Sequence, residues 1–152
     1  MSITVSKVER SDLNDLVTLF DKYRIFYKQE SDLHSARNFI SERLENDDSL
    51  IFVSRNSAGE ATGFTQLYPT YSSQSMQKMW ILNDLYVDED YRKQGIASAL
   101  IHRADAFARR THAKGLLLCT QHSNLEAQAL YKKSGFVAVD EFQWHFLSAS
   151  NP

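Results

Sequence analysis

The segment YRKQGIA, Tyr91 to Ala97, places a basic pair, a glycine and an alanine where an apolar strand passes by a short loop into a long helix. Backbone N–H groups at such a helix start have no partner inside the helix, and the helix dipole favours negative charge there. Gly95 and Ala97 carry little or no side chain, so a diphosphate can approach the amides of Gln94, Gly95, Ile96, Ala97 and Ser98, with Arg92 and Lys93 adding charge from the rim. The string lacks the further glycines of a dinucleotide fingerprint and the Gly-Lys-Ser/Thr ending of a P-loop. Taken alone, it also reads as a plain tight turn with an exposed basic pair.

Other residues suit proton transfer. Asp84 is a carboxylate on the otherwise apolar strand WILNDLYV, where burial raises its affinity for a proton, so it is a candidate base; a hydrogen-bonded structural aspartate is the alternative. His122, just after a second apolar strand, is another candidate base or a solvated loop residue. Tyr23, Phe26, Tyr27, Glu30 and Asp32 combine aromatic rings with carboxylates, which suits a cationic amine, although the rings also suit core or dimer packing and the acids a helix cap.

The elements that must carry these groups follow from periodicity. Ile3, Val5 and Val8 predict an opening strand, and Leu13, Leu16, Val17 and Phe20 a first helix beginning near Ser11 to Asn14. Ala36, Phe39, Ile40 and Leu44 form the stripe of a second helix over Asp32 to Leu44. Leu50 to Val53 and Gly63 to Tyr68 form a hairpin around Gly59, with Pro69 expected to interrupt the ladder. Trp80 to Val87 reads as an interior strand, Gly95 to Ala113 as a long helix, and Gly115 to Thr120 as a buried strand holding Cys119. Asn124 to Ser134 predicts a last helix stopped by Gly135, followed by closing strands over Phe136 to Val139 and Phe142 to Leu147. This order predicts an α/β fold, a mixed sheet with helices on both sides.

The chain has 152 residues, 24% charged and 43% hydrophobic, with a formal net charge of −2, which suits a single domain over 1–152 with one core. The balance of charge gives no footprint for nucleic acid or a membrane surface. One cysteine supplies neither a disulfide framework nor a metal-ligand pair and suits a reducing compartment, and the opening MSITVSKVERSD is no secretory or membrane segment, so a cytoplasmic location is expected.

Two strings together resemble the GNAT superfamily of acetyl-coenzyme A-dependent N-acetyltransferases. Arg92, Gly95 and Ala97 match its cofactor loop, and Asn124, Ala127, Leu130, Tyr131, Gly135 and Phe136 in NLEAQALYKKSGF match its second signature. FYKQESD and GFTQLYP, with WILNDLYV, are similar to a subgroup that includes fungal acetyltransferases of histones, polyamines or D-amino acids.

The resemblance implies a mostly antiparallel mixed sheet of six to seven strands with a splayed central pair, acetyl-CoA as cofactor, no metal, and a homodimer. It also implies that Leu85, Tyr86 and Val87 meet the pantetheine arm through main-chain groups, with the Val87 N–H directed at the thioester carbonyl oxygen. Asn124 and Tyr131 share a helix face with Ala127 between them, small enough to leave room for the cofactor. Tyr131 takes the family role of protonating the departing thiolate, which a phenol near pKa 10 can do for a thiol near 8.5.

Where several polyamine-type relatives carry Leu-Glu-Asp, this chain has Leu82-Asn83-Asp84; Asn83 thus stands in the acceptor site without the carboxylate, and Asp84 is the nearest remaining base. The expected reaction is direct transfer of acetyl to a small-molecule primary amine, with a histone-tail or N-terminal peptide acceptor, or a non-catalytic acyl-CoA sensor, as alternatives.

Overall fold

The structure, a computed structural model, describes residues 2–150 and divides into two compact units, Met1–Cys119 and Thr120–Pro152. The first contains strands β1 (Thr4–Lys7), β2 (Leu50–Arg55), β3 (Ala61–Ser72), β4 (Gln77–Val87) and β5 (Leu116–Leu117) with helices α1 (Leu13–Phe26), α2 (Leu33–Asn46) and α3 (Ile96–Arg110). The second contains helix α4 (Leu125–Lys133).

Apolar spacing and local caps explain the first two helices. α1 buries Leu16, Val17, Leu19 and Phe20, and α2 buries Ala36 and Ile40. Asp32 caps α2 by accepting from Ser35 N at 3.0 Å. The buried carboxylate of Asp21 accepts from Ser31 Oγ at 2.7 Å and Asp32 N at 2.8 Å, which pins the connection between the two helices.

The strands lie in the order β1-β2-β3-β4-β5, antiparallel up to β4 and parallel between β4 and β5. Ile51, Val53, Phe64 and Tyr86 join the core cluster of α1 and α2. Phe52 and Trp80 meet Phe107 of α3, with ring centroids 5.9 and 5.2 Å apart. Because neighbouring strand residues point to opposite faces, Ile51 and Phe52 place helices on both sides of the sheet.

A bulge in β4 controls where its polar residues point. Leu82 pairs with Leu67 and Asp84 with Gln66, leaving Asn83 opposite no residue of β3. Trp80, before the bulge, faces α3, whereas Tyr86, after it, faces α1. Simple alternation would put Trp80, Leu82, Asp84 and Tyr86 on one face; the extra residue turns the last two to the other. β5 pairs with β4 only at Trp80 and Ile81, so it leaves the edge of β4 beyond the bulge uncovered. This is the splayed pair.

Several expectations are corrected. β3 runs through Pro69 to Ser72 instead of stopping. Pro69 pairs with Trp80, whose N–H is directed away from β3 to Gly115 O at 3.1 Å. The pair is therefore one that exchanges no backbone bonds, and a missing proline N–H costs nothing there. Cys119 is exposed because β5 ends two residues before it.

The sheet has five strands rather than six to seven, since neither Phe136 to Val139 nor Phe142 to Leu147 forms a strand among the described residues. Val137, Val139, Phe142, Trp144 and Phe146 are exposed. Alternation alone does not fix a strand: a hairpin needs a third strand or a helix over its apolar face.

Candidate active site

On the α1 face, just past the bulge, Asp84 is 4% exposed. Its Oδ2 accepts from Gln66 Nε2 at 2.8 Å and its Oδ1 from Asn83 Nδ2 at 3.1 Å. Burial pushes its carboxyl above the usual range, and the bonds from Gln66, Tyr23 and Asn83 only partly offset that effect. A carboxyl so placed takes up a proton more readily than one in water.

Aromatic residues of α1 and the turn after it, of β3 and of β4 surround it. The Tyr23 and Tyr27 rings are 5.0 Å apart, Phe26 and Tyr27 5.2 Å, and Tyr23 and Tyr86 6.3 Å. Burial, then the Asp84 charge, pushes the Tyr23 and Tyr27 hydroxyls upward, and Tyr68 is raised to about 12 for the same reasons. All three remain protonated at neutral pH, so a ring of phenols faces one carboxyl. Phe26 and Tyr27 are exposed at the rim. Glu30 is exposed in the loop after α1, where its carbonyl accepts from Arg24 Nη1 at 2.9 Å.

The uncovered edge of β4 lies beside this group. Asp88 N donates to Thr62 O at 2.9 Å, and Arg92 Nε donates to Val87 O at 3.1 Å. With Asp88 bonded to β3, the antiparallel ladder turns the main-chain groups of Val87 and Leu85 to the opposite edge. Lys22 of α1 pairs with Asp88, which caps the Glu89–Tyr91 turn. Burial would raise the Asp88 carboxyl, but the Lys22 ammonium and the Asp90 N–H hold it below its ordinary value.

Past that turn the chain enters α3 through Lys93 and Gly95, with φ of +60° and +78°. Glycine adopts the second without strain. The first intrahelical bond is Ala99 N to Gly95 O at 3.0 Å, so the N–H groups of Ile96, Ala97 and Ser98 point out of the helix end. Gly95 has open space where a Cβ would stand, while the Ile96 side chain is buried. Outward amides with open space before them fit the diphosphate of coenzyme A. Gln94 and Lys93 are exposed, whereas the Arg92 guanidinium lies over Phe26 and Tyr86, 5.4 and 5.8 Å from their ring centroids.

In the second unit, Asn124 caps α4 by accepting from Ala127 N at 3.1 Å. Gly135, at φ +99°, ends the helix, and Phe136 N reaches back to Tyr131 O at 3.0 Å. The Tyr131 and Phe136 rings are 5.7 Å apart. His122 is exposed, and its carbonyl accepts from Gln128 Nε2 at 2.9 Å.

Two members of the site escape sequence reasoning. Gln66, fully buried, holds Asp84, and Ser49 Oγ donates to Gln66 Oε1 at 2.9 Å. A glutamine within the apolar run GFTQLYP was the available signal, since a buried amide must find partners. Among the described residues no group of three or more His, Cys, Asp or Glu side chains is placed to hold a metal ion, and no helix is long and apolar enough to cross a membrane.

Comparison with known proteins bears on this arrangement. Residues 13–136 match the model of the acetyltransferase (GNAT) family. A Bacillus subtilis (strain 168) protein described as an uncharacterized N-acetyltransferase, YhfO, is 42% identical over 88% of this chain and 89% of its own length. The crystal structure of a probable acetyltransferase superposes with a TM-score of 0.90 at 37% identity, covering 100% of both chains. An aminoglycoside N-acetyltransferase in complex with CoA shares the fold, with a TM-score of 0.80 at 16% identity over 96% of this chain and 95% of its own. With the cradle before α3, the splayed edge of β4 and a family match spanning most of its length, this chain belongs to the GNAT family and is an N-acetyltransferase.

Proposed function

We propose that the chain transfers acetyl from acetyl-CoA to the primary amine of a small molecule, such as a polyamine or amino acid, by direct attack in a ternary complex. The observation that carries this reading is the buried Asp84 carboxyl, set beside the uncovered edge of β4 and ringed by Tyr23, Tyr27 and Tyr68.

Acetyl-CoA, when bound, supplies the activated acetyl group. The amides of Gln94 to Ser98 would hold its diphosphate with Arg92 and Lys93 at the rim, and the main chain of Leu85 to Val87 its pantetheine arm. Asn124 and Ala127 are assigned to the same task on the signature that α4 carries.

Tyr23, Phe26, Tyr27 and Glu30 attract the ammonium form of the acceptor, and Asn83 lines its approach. Asp84 removes the proton that blocks the amine's lone pair, directly or through one water. The Val87 N–H stabilises the carbonyl oxygen as it gains charge, and Tyr131 gives a proton to the departing sulfur as the C–S bond breaks and the amide bond forms. In the same reading, residues 1–152 act as one catalytic domain in a cytoplasmic homodimer, to be tested by light scattering and cell fractionation.

The deciding experiment is calorimetric titration of acetyl-CoA, CoA and pantetheine lacking the diphosphate, beside free-thiol release on spermidine, lysine analogues, D-amino acids and basic peptides. Diphosphate-dependent binding with release for a small amine supports the reading. Release for peptides alone moves the acceptor to protein tails, and binding without release indicates an acyl-CoA sensor.

A further inference from the structure

Gln66 uses both ends of its amide in a place that water does not reach. Ser49, immediately before β2, comes beside it because Leu50 pairs with Leu67. Ser49 Oγ donates to Oε1 at 2.9 Å, and Nε2 donates to Asp84 Oδ2 at 2.8 Å. With its amide oxygen accepting from Ser49, Gln66 turns its NH2 group to Asp84.

The other groups facing Asp84 are Asn83 on its own strand, Tyr23 on α1, Tyr27 directly after α1, and Tyr68 on β3. Arg43 of α2 and Asp48 bear on Tyr68 behind them. The groups that offset burial at Asp84 are thus neutral amides and a phenol. Asn83 is exposed, so water can replace its bond; the Gln66 donor is buried and has no such substitute.

An ionised carboxylate only accepts hydrogen bonds, whereas a protonated one must also donate. An NH2 group fixed against Oδ2 bonds more strongly to the ionised form than to the neutral acid. We propose that Gln66 is a positioning residue for acetyl transfer: its NH2 group, held in place through the Ser49 hydroxyl, keeps the buried Asp84 ionised and ready to accept the amine proton. This rests on the reading of Asp84 as the base. Removing the hydroxyl takes away the donor that holds the amide oxygen and loosens the NH2 group against Asp84, which weakens the bond to the ionised form.

The test is the pH dependence of kcat/KM, together with a carbon-detected NMR titration of the Asp84 carboxyl assigned by comparison with Asp84→Asn. A hydrogen bond to a charged group is worth about one to two pH units, so Gln66→Leu should move the acid limb and the NMR midpoint up by about that amount. Ser49→Ala should move both in the same direction by less, and Ser49→Thr should restore them.

Where Gln66→Leu fails to fold, the Ser49→Ala and Ser49→Thr pair decides. An acid limb and midpoint unmoved in the folded variants overturn the proposal while leaving Asp84 as base. An acid limb that survives in Asp84→Asn instead removes the base assignment, and the proposal falls with it.

Discussion

The guanidinium of Arg92 lies 5.4 Å from the ring centroid of Phe26, so the loop leading into α3 touches the last turn of α1. The proposed cofactor cradle and acceptor wall therefore share a contact. At a partly exposed site such a contact is worth about 0.5–1 kcal/mol. Arg92→Ala and Phe26→Ala should each raise the acetyl-CoA Kd and the amine KM by about two- to five-fold. The double variant should lose less than the product of the two, and strict additivity would show that the contact couples nothing.

Asp84 has opposite consequences for stability and for turnover. Its folded-state affinity for a proton is raised above that of the unfolded chain. Its contribution is therefore most favourable below the unfolded carboxyl range, about pH 4, and is lost as pH rises through the higher folded value. Asp84→Asn should raise Tm by a few degrees at pH 8, and the gain should shrink towards zero near pH 4. Turnover should fall by about 100-fold or more, as for loss of a general base. A Tm difference independent of pH would mean that the buried carboxyl carries no such penalty.

Gly63 is held against the backbone of β4. A Cβ there would stand 2.6 Å from Tyr86 O, 3.1 Å from Ser54 Oγ and 3.3 Å from Val87 Cα. The nearest obstacle is main chain, so Gly63→Ala must shift β3 against β4 at the residues assigned to the thioester. Denaturant unfolding should show a loss of about 1–3 kcal/mol. Activity measured on the folded fraction should fall as well; unchanged activity would place the reacting carbonyl elsewhere.

Tyr131→Phe keeps the ring that meets Phe136 and removes the hydroxyl. The expected result is a fall in kcat of about 100-fold or more with acetyl-CoA affinity within about two-fold of wild type. Turnover that survives would transfer the thiol's proton to water.

The order of elements through α4 is legible because its signals are local. Leu13, Leu16, Val17 and Phe20 repeat at helical spacing, Gly135 adopts the left-handed conformation that stops α4, and Gly95 sits at the start of α3. The placement of Asp84 is less legible. Period-2 counting puts it on the face of Trp80, and only the bulge at Asn83, set by pairing with a strand more than ten residues away, turns it towards Tyr23. Gln66 and Ser49 become partners through β2–β3 register, which no short window of sequence contains. The closing strands fail for a related reason: Phe142, Trp144 and Phe146 carry the right alternation, but pairing is a property of two segments.

Pro69 has a consequence for solution behaviour. β2 ends its pairing at Leu50 and Leu67, so the stretch of β3 from Tyr68 to Ser72 continues beyond its neighbour with one side unpaired by β2. An unpaired strand side is a template on which a foreign strand can add, and the residue pairing with Trp80 would aim its N–H outward along it. Proline deletes that donor without disturbing the ladder to β4. The hairpin can thus extend past the sheet while discouraging strand-by-strand self-association at high protein concentration.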